Sequence, residues 1–211
     1  MNQPVWDKIY KDFQKGGKAW YTLSRGLDAD FKEFVENTDF PIKKAFDVGF
    51  GTGHYLVWLK ARGFEVAGID SSETAYTMTA DALGTKDGLI CDSIYERDIP
   101  KESFSLIFSI HAIHHGLKDQ VQKAFDNVYS SLVEGGWIYL TLPEDLQIKD
   151  WETHKTSKLI ALGTHAPTEG PEKDLPHSFY SKTELEEIFD GYKKLNIKKG
   201  ERGGWIITAQ K

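Results

Sequence analysis

The segment AFDVGFGTGHYLVWLKARGFEVAGID, from Ala45 to Asp70, constrains the fold of this chain more than any other. A short apolar run leads into Gly49, Gly51 and Gly53, a helical stretch follows, and a second apolar run ends at Asp70. Glycines at alternate positions let the backbone turn sharply and approach a ligand closely. Strand, glycine loop, helix and strand in this order predict a parallel unit with a ligand at the carboxyl ends of its strands.

The same alternation of strands and helices continues through the next part of the chain. The apolar runs GLIC, SFSLIFSI and WIYLTL are predicted strands, with amphipathic helical segments between them. The last two runs, YKKLNIKK and GWIITAQ, are joined by a connection too short for a crossover helix, so they must pair antiparallel. The predicted fold class is therefore α/β, a Rossmann-like doubly wound sheet that is mostly parallel and ends in an antiparallel hairpin.

Chain length sets the expected domain organisation. A chain of 211 residues has room for one buried core rather than two, so we predict a single domain. We divide it into an N-terminal helical lid (1–43), a cofactor-binding core (44–143), a cap segment on the substrate side (144–180) and a final helix with its hairpin (181–211). Within the cap segment the sequence predicts one helix near Thr156 to Leu162.

Composition restricts the class of partner. The net charge is -6, with 32 acidic and 26 basic residues, which disfavours a nucleic acid partner. No apolar run approaches the roughly 20 residues of a membrane span, and the N-terminus lacks the apolar segment of a signal peptide. We therefore predict a cytoplasmic protein with no membrane partner, either monomer or homodimer. Cys91 is the only cysteine, and its apolar neighbours predict a buried side chain.

The glycine spacing distinguishes two kinds of nucleotide site. A dinucleotide loop requires G-x-G-x-x-G or a final Ala, and no reading of this segment places a small residue last. The pattern present is D-x-G-x-G-x-G, from Asp47 to Gly53. At the ends of the next two strands, Asp70 could accept hydrogen bonds from ribose hydroxyls and Asp92 from an adenine amino group. The ordinary alternative for either aspartate is to cap the turn that follows it.

With these residues the chain resembles the class I S-adenosylmethionine-dependent methyltransferases, strongly over Lys43 to Pro143 and by topology at the terminal hairpin. The segments WDKIYKDF and GPEKDLPHSFY are also similar to the small single-domain branch that includes tellurite-resistance methyltransferases of the TehB type. The resemblance implies S-adenosylmethionine as cofactor and S-adenosylhomocysteine as product. It implies that the glycine loop holds the methionine part of the cofactor. It also implies that Asp70, after the second strand, holds the ribose and that Asp92, after the third strand, holds the adenine.

The resemblance thus implies a set of cofactor-binding residues on the first four strand ends, to which two tyrosines of the predicted lid are added. These residues are Asp47, Gly49, Gly51, Thr52, Gly53, Asp70, Ser71, Asp92, Ser93, Ile94, Ser109, Ile110, His111, Tyr10 and Tyr21.

The chemistry of methyl transfer needs few side chains. Displacement at a sulfonium is in-line, so the enzyme mainly positions the reactants, and a proton acceptor is required only when the nucleophile starts protonated. The candidate catalytic residues are His114, His115 and His177. The spacing of HAIHH suggests a metal site, but it lacks the Glu of H-E-x-x-H and no cysteine is near, so the sequence predicts no metal.

The predicted N-terminal helix has an aromatic stripe, Trp6, Tyr10 and Phe13, which either packs on the sheet edge or forms a lid over the sulfonium. No appended recognition module is visible, which favours a small-molecule methyl acceptor. Two alternatives stay open at this point. One is a nucleotide-dependent oxidoreductase, and the other is a non-catalytic cofactor-binding protein of the same fold.

Overall fold

The protein is described from a computed structural model that covers residues 3–17, 26–145, 156–201 and 203–211. The helices in these residues are α1 (Gln3–Gln14), α2 (Ala29–Glu36), α3 (His54–Lys60), α4 (Glu73–Leu83), α5 (Lys118–Ser131) and α6 (Lys182–Ile188). The strands are β1 (Lys44–Val48), β2 (Glu65–Asp70), β3 (Leu89–Cys91), β4 (Phe104–Ser109), β5 (Leu132–Leu142), β6 (Ser157–Ala161), β7 (Thr164–Pro167), β8 (His177–Ser178), β9 (Lys193–Lys199) and β10 (Trp205–Gln210).

The main sheet has seven strands in the order β3-β2-β1-β4-β5-β10-β9. Strands β1 to β5 pair in parallel, whereas β10 is antiparallel to both β5 and β9. The order reverses between β1 and β4, and this switch point is where doubly wound sheets bind ligands at the carboxyl ends of their strands. The predicted fold class, including the antiparallel terminal hairpin, is confirmed.

The helices around the site begin at residues whose side chains accept backbone hydrogen bonds. Ser72 precedes α4 and its Oγ accepts from the Ala75 N–H at 3.1 Å. Ser181 precedes α6 in a capping box with Glu184, in which each side chain accepts from the other residue's N–H. These caps fix where each helix starts and therefore how the preceding loop meets the edge of the sheet.

Two apolar clusters cover the opposite faces of the main sheet, because alternate strand residues point to opposite sides. Leu106 and Phe108 of β4 belong to the cluster that contains the buried residues of α2, α3 and α4. Ile107, between them, belongs to the cluster that contains the buried residues of α5 and α6. At the centre of the first cluster, Phe31 of α2 is fully buried and contacts four aromatic rings.

The helix predicted near Thr156 to Leu162 is wrong. This part of the cap segment forms β6, which pairs antiparallel with β7, and β8 completes a separate three-stranded sheet. The connection between β6 and β7 contains Gly163 at φ 64°, a left-handed conformation that favours a tight hairpin turn. None of the helices in the described ranges combines the length and apolar character that a membrane span requires.

Candidate active site

The glycine loop after β1 is shaped by left-handed backbone. Gly49, Gly51 and Gly53 have φ values of 86°, 55° and 74°, a region that residues with a Cβ rarely adopt. Space is also limited: a Cβ on Gly51 would lie 2.6 Å from the Tyr10 hydroxyl. The loop therefore requires glycine both for its turn and for the close approach of α1.

The loops that follow β1 to β4 surround a cavity of about 560 Å³. Most of the predicted cofactor-binding residues line it, namely Tyr10, Asp47, Gly49, Gly51, Thr52, Asp70, Ser71, Asp92, Ser93, Ile94, Ile110 and His111. Two others support the cavity from behind. Gly53 is the N-cap of α3, and the Ser109 hydroxyl donates to the Val48 carbonyl at 2.8 Å. The predicted residue Tyr21 lies outside the described residues.

Asp70 connects the glycine loop to the end of β2. Its carboxylate accepts from the Gly51 N–H and the Ser72 N–H, each at 2.9 Å. Burial raises the pKa of Asp70 to about 6, although the bonds from Ser72, Gly51 and Ser71 oppose this shift. A carboxylate has about four lone-pair positions, so at least one remains for a ribose hydroxyl.

A second buried carboxylate, Asp47 on β1, lies at the floor of the cavity and is 3% exposed. Burial and the nearby charge of Asp70 raise its pKa well above its usual range. Burial and these same acids also raise the pKa of Tyr10, which keeps its hydroxyl protonated. Both carboxyl groups are hard to ionise in this enclosed cavity. A cation bound beside them would stabilise their ionised forms, so the cavity favours a positively charged ligand.

Asp92, after β3, partly caps the turn that follows it, since its Oδ1 accepts from the Ser93 N–H at 2.7 Å. It nevertheless lines the cavity together with Ser93 and Ile94. The prediction that Cys91 is buried is wrong. This residue is exposed and lines the cavity, because β3 is a three-residue strand at the edge of the sheet.

Helix α1 covers the cavity and is attached to α4 by Asp7. The Asp7 Oδ1 accepts from the Thr74 N–H at 2.9 Å, the Thr74 hydroxyl at 2.7 Å and the Ser72 hydroxyl at 3.2 Å. An ion pair with Lys11 and these bonds hold the pKa of Asp7 well below its usual range. The attachment brings Trp6 and Tyr10 to the wall of the cavity.

The three candidate catalytic histidines form one buried cluster. One ring nitrogen from each of His114, His115 and His177 lies within 4.8 Å of the others. The Nε2 of His177 is 2.9 Å from an oxygen of Glu172, which is also buried. Only His115 of the three lines the cavity, where its ring meets Trp6 edge-on at 4.8 Å between centroids.

His111 has an unusual backbone for a residue with a side chain. Its φ is 55°, and its N–H donates to the Thr141 hydroxyl at 2.8 Å. This bond from β5 holds the end of β4 in a left-handed turn that places His111 on the cavity wall. Strain of this kind is retained where the surrounding structure fixes it, commonly at functional sites.

Several cavity residues were missed by the sequence prediction. His54, considered only as an obstacle to a dinucleotide loop, lines the cavity and accepts or donates a bond with the Thr52 hydroxyl at 3.2 Å. Glu172, which contacts His177 but does not line the cavity, lies five residues before it in the chain, and no periodic signal marks it. Pro176 and Asp174, from the same cap segment, also line the cavity.

The core of the chain matches a known family of proteins. Residues 46–140 match the family model described as a methyltransferase domain. A comparison with curated proteins found no match. The narrower resemblance to the TehB-type branch stays a prediction.

Solved structures share the fold at low sequence identity. A possible histamine N-methyltransferase from Thermotoga maritima is 16% identical, with 100% of each chain covered and a TM-score of 0.67. The Burkholderia thailandensis 1,6-didemethyltoxoflavin-N1-methyltransferase, with that compound and S-adenosylhomocysteine bound, is 14% identical, with 98% of this chain and 87% of that chain covered and a TM-score of 0.66. A structure described as a DhpI-SAM-HEP complex is 16% identical, with 99% and 95% covered and a TM-score of 0.69.

The expected family is supported by the match over residues 46–140, and the expected fold is shared with the solved structures. The predictions of a methyltransferase enzyme and of S-adenosylmethionine as its cofactor are supported by the same findings. The alternative of a nucleotide-dependent oxidoreductase gains no support from them. Residues 46–140 of the chain match a methyltransferase domain, and the chain has the fold of the class I S-adenosylmethionine-dependent methyltransferases.

Proposed function

We propose that the protein transfers a methyl group from S-adenosylmethionine to a small-molecule acceptor by in-line displacement. The observation that carries this proposal is the continuity of one cavity. The strand-end residues suited to the cofactor line the same cavity as Trp6, His115, Leu117, Gln120 and Pro176, and we propose that the latter group forms its acceptor end. A volume of about 560 Å³ lies within the range of about 300–1,000 Å³ that is usual for small-molecule sites.

The cofactor end is suited to a cationic ligand. We propose that Asp70 accepts from the ribose hydroxyls and that Asp92 lies near the adenine. The raised pKa of Asp47 falls when a positive ammonium or sulfonium group binds nearby, because the cation stabilises the ionised carboxylate. Tyr10 stays protonated and can donate a hydrogen bond to the ligand.

The acceptor end combines an indole face, an imidazole and short apolar side chains. This lining suits a compact acceptor with an oxygen, nitrogen or sulfur nucleophile. The small molecules bound in two of the similar structures support an acceptor of this size. We propose that the lid (1–43) and the cap segment (144–180) enclose it, since residues from both reach the cavity wall.

In the proposed reaction, a lone pair of the acceptor attacks the methyl carbon while the carbon–sulfur bond breaks and its electron pair passes to sulfur. The products are the methylated acceptor and S-adenosylhomocysteine. Burial and the neighbouring histidines hold the pKa of His115 well below its usual range, so its ring is neutral at pH 7. It can therefore receive the proton of an acceptor that starts protonated.

The test uses S-adenosylmethionine carrying a labelled methyl group and an extract divided into a low-mass filtrate, protein and nucleic acid. We expect label to enter only the low-mass fraction. Label confined to protein or nucleic acid would refute the small-molecule acceptor. Asp70→Asn should reduce the signal, whereas Asp87→Asn, which changes an exposed carboxylate away from the cavity, should not.

A further inference from the structure

The histidine cluster has a feature that acid–base catalysis alone does not require. His114, His115 and His177 come from the end of β4 and from β8, so two separate parts of the chain converge on one point. All three rings are buried, with exposures of 6%, 4% and 5%. We propose that these three histidines, with Glu172 beside them, bind one divalent transition-metal ion at the acceptor end of the cavity.

Backbone carbonyls orient two of the rings as they do in metal sites. The Nδ1 of His115 is 2.9 Å from the Ala112 carbonyl, and the Nδ1 of His177 is 3.0 Å from the Leu175 carbonyl. Because a carbonyl oxygen only accepts, each Nδ1 carries a proton, and in the neutral ring the lone pair that can bind a metal is then on Nε2. Metal-bound histidines typically donate their other N–H in this way.

Glu172 provides a second and independent indication. Its Oε2 is 2.9 Å from the Nε2 of His177, the ring nitrogen that does not face the Leu175 carbonyl. A carboxylate oxygen and an imidazole lone pair repel each other unless a proton or a metal ion lies between them. Ligands bound at about 2.0–2.1 Å to one ion are separated by roughly 3 Å, so the observed distance suits two ligands of the same metal.

Other polar atoms of the cluster are also poised for a ligand. Among the described residues, Nδ1 of His114 and Oε1 of Glu172 are buried and have no hydrogen-bond partner. Buried polar atoms of this kind are costly unless something satisfies them.

The donor set indicates the class of metal. Imidazole nitrogens suit Zn²⁺, Co²⁺, Ni²⁺, Cu²⁺ and Fe²⁺, whereas Mg²⁺ and Ca²⁺ require mainly oxygen ligands. Three histidines with an acid form a site that leaves room for an exogenous ligand. The prediction of no metal from HAIHH considered only that segment, and the acid it lacked is supplied by Glu172 from the cap segment.

The position of the cluster connects the ion to the acceptor. His115 belongs to the cluster and also lines the cavity, so a ligand in the acceptor end would lie beside the ion. Coordination to the metal would lower the pKa of an oxygen or sulfur nucleophile, so that its proton would pass to water and His115 would not have to accept it. This role rests on the proposed function, whereas the metal site itself does not.

The experiment measures metal binding without any methyl acceptor. The full chain is dialysed against a chelator and titrated with Co²⁺ by visible absorption, then with Zn²⁺ by calorimetry. We expect one ion per chain, d–d bands from nitrogen-ligated Co²⁺ and displacement of Co²⁺ by Zn²⁺. His115→Gln and His177→Gln should weaken Zn²⁺ binding by on the order of 100-fold or more, and Glu172→Gln by about 10–100-fold.

The matched control is His54→Gln, a half-buried histidine outside the cluster, and it should leave the stoichiometry and affinity of metal binding unchanged. A cooperative thermal melt of each variant shows that it is folded. Absence of Co²⁺ and Zn²⁺ binding by the wild-type chain would overturn the proposal, as would equal affinity in folded Glu172→Gln and His177→Gln variants. Neither result would bear on methyl transfer, so the two proposals fail separately.

Discussion

Replacement of Asp70 by asparagine tests the cofactor end of the cavity most directly. Asp70→Asn removes a charged acceptor from the ribose position, and hydrogen bonds to a charged group are worth about 1.5–3 kcal/mol each. Because the asparagine keeps one oxygen, we expect a net loss of about 1–3 kcal/mol. This corresponds to a rise of about 5- to 150-fold in the Kd for S-adenosylhomocysteine, measured by calorimetry at pH 8.

The pH dependence of binding provides a second readout. Burial raises the pKa of Asp70 to about 6, so the carboxylate becomes protonated as the pH falls below that value. Since the ribose hydroxyls bind the ionised form, the affinity of the wild-type protein should decline between pH 7 and 5, by up to about tenfold per unit below pH 6. Asp70→Asn should lack this decline. Asp47 is present in both proteins, but its pKa also falls when the charge of Asp70 is removed, so the difference between the pH profiles reports Asp70 together with its coupling to Asp47.

Two results would refute this reasoning. One is an Asp70→Asn variant that binds S-adenosylhomocysteine as tightly as wild type at pH 8. The other is a decline in affinity toward pH 5 that is the same in both proteins. Asp87→Asn, an exposed change of the same chemistry, should bind like wild type throughout. A thermal melt of each protein checks that the loop anchored by Asp70 is retained.

Three further perturbations address stability and the lid. Phe31→Ala should reduce the free energy of unfolding by about 3–5 kcal/mol in urea, because this fully buried ring leaves a cavity. The pKa of His114 is held well below 6.5, so the contribution of this ring to the free energy of unfolding is full above about pH 6.5 and is lost as the pH falls below it. His114→Gln should therefore reduce the fall in stability with decreasing pH, by at most about 1.4 kcal/mol per pH unit, measured by urea unfolding with a chelator present. Asp7→Asn should increase hydrogen exchange in α1 by about tenfold, because the carboxylate that receives the Thr74 bonds loses its charge.

Each of these expectations has a result that contradicts it. Leu162→Ala changes a side chain that is 92% exposed and should alter stability by less than about 0.5 kcal/mol, so an equal effect from Phe31→Ala would contradict the core assignment. An unchanged slope in His114→Gln would mean that this ring does not resist protonation. Unchanged exchange across α1 in Asp7→Asn would show that other contacts hold the lid.

The core of the fold was predictable because its signals are local. The glycine loop follows β1 directly, and Asp70 ends the next strand, so a short segment contains the first strand, the loop and the second strand. Each parallel strand is a short apolar run bounded by turn residues, and the chemistry of the loop follows from backbone geometry. The sequence could therefore place the cofactor residues at strand ends without knowledge of long-range contacts.

The cap segment was less predictable for a physical reason. The residues of β6 form a short apolar run, and a run of that length does not distinguish a strand from a helical turn by periodicity. The outcome depends on pairing with β7, through a turn at Gly163 that only the folded chain reveals. Cys91 shows the same limit, since its exposure depends on β3 being the edge strand.

The cavity is assembled from two kinds of sequence information. Its cofactor end is formed by short segments, each directly after one strand, so the sequence predicts their glycines and acids from local patterns. Its acceptor end depends on contacts between distant parts of the chain: Asp7 brings Trp6 against His115, and the cap segment brings Glu172 and His177 to the same point. Under the proposed function, acceptor choice resides in the part of the site that has the least periodic sequence. A chain with this core can keep its cofactor end unchanged while substitutions in the lid and cap alter what it methylates.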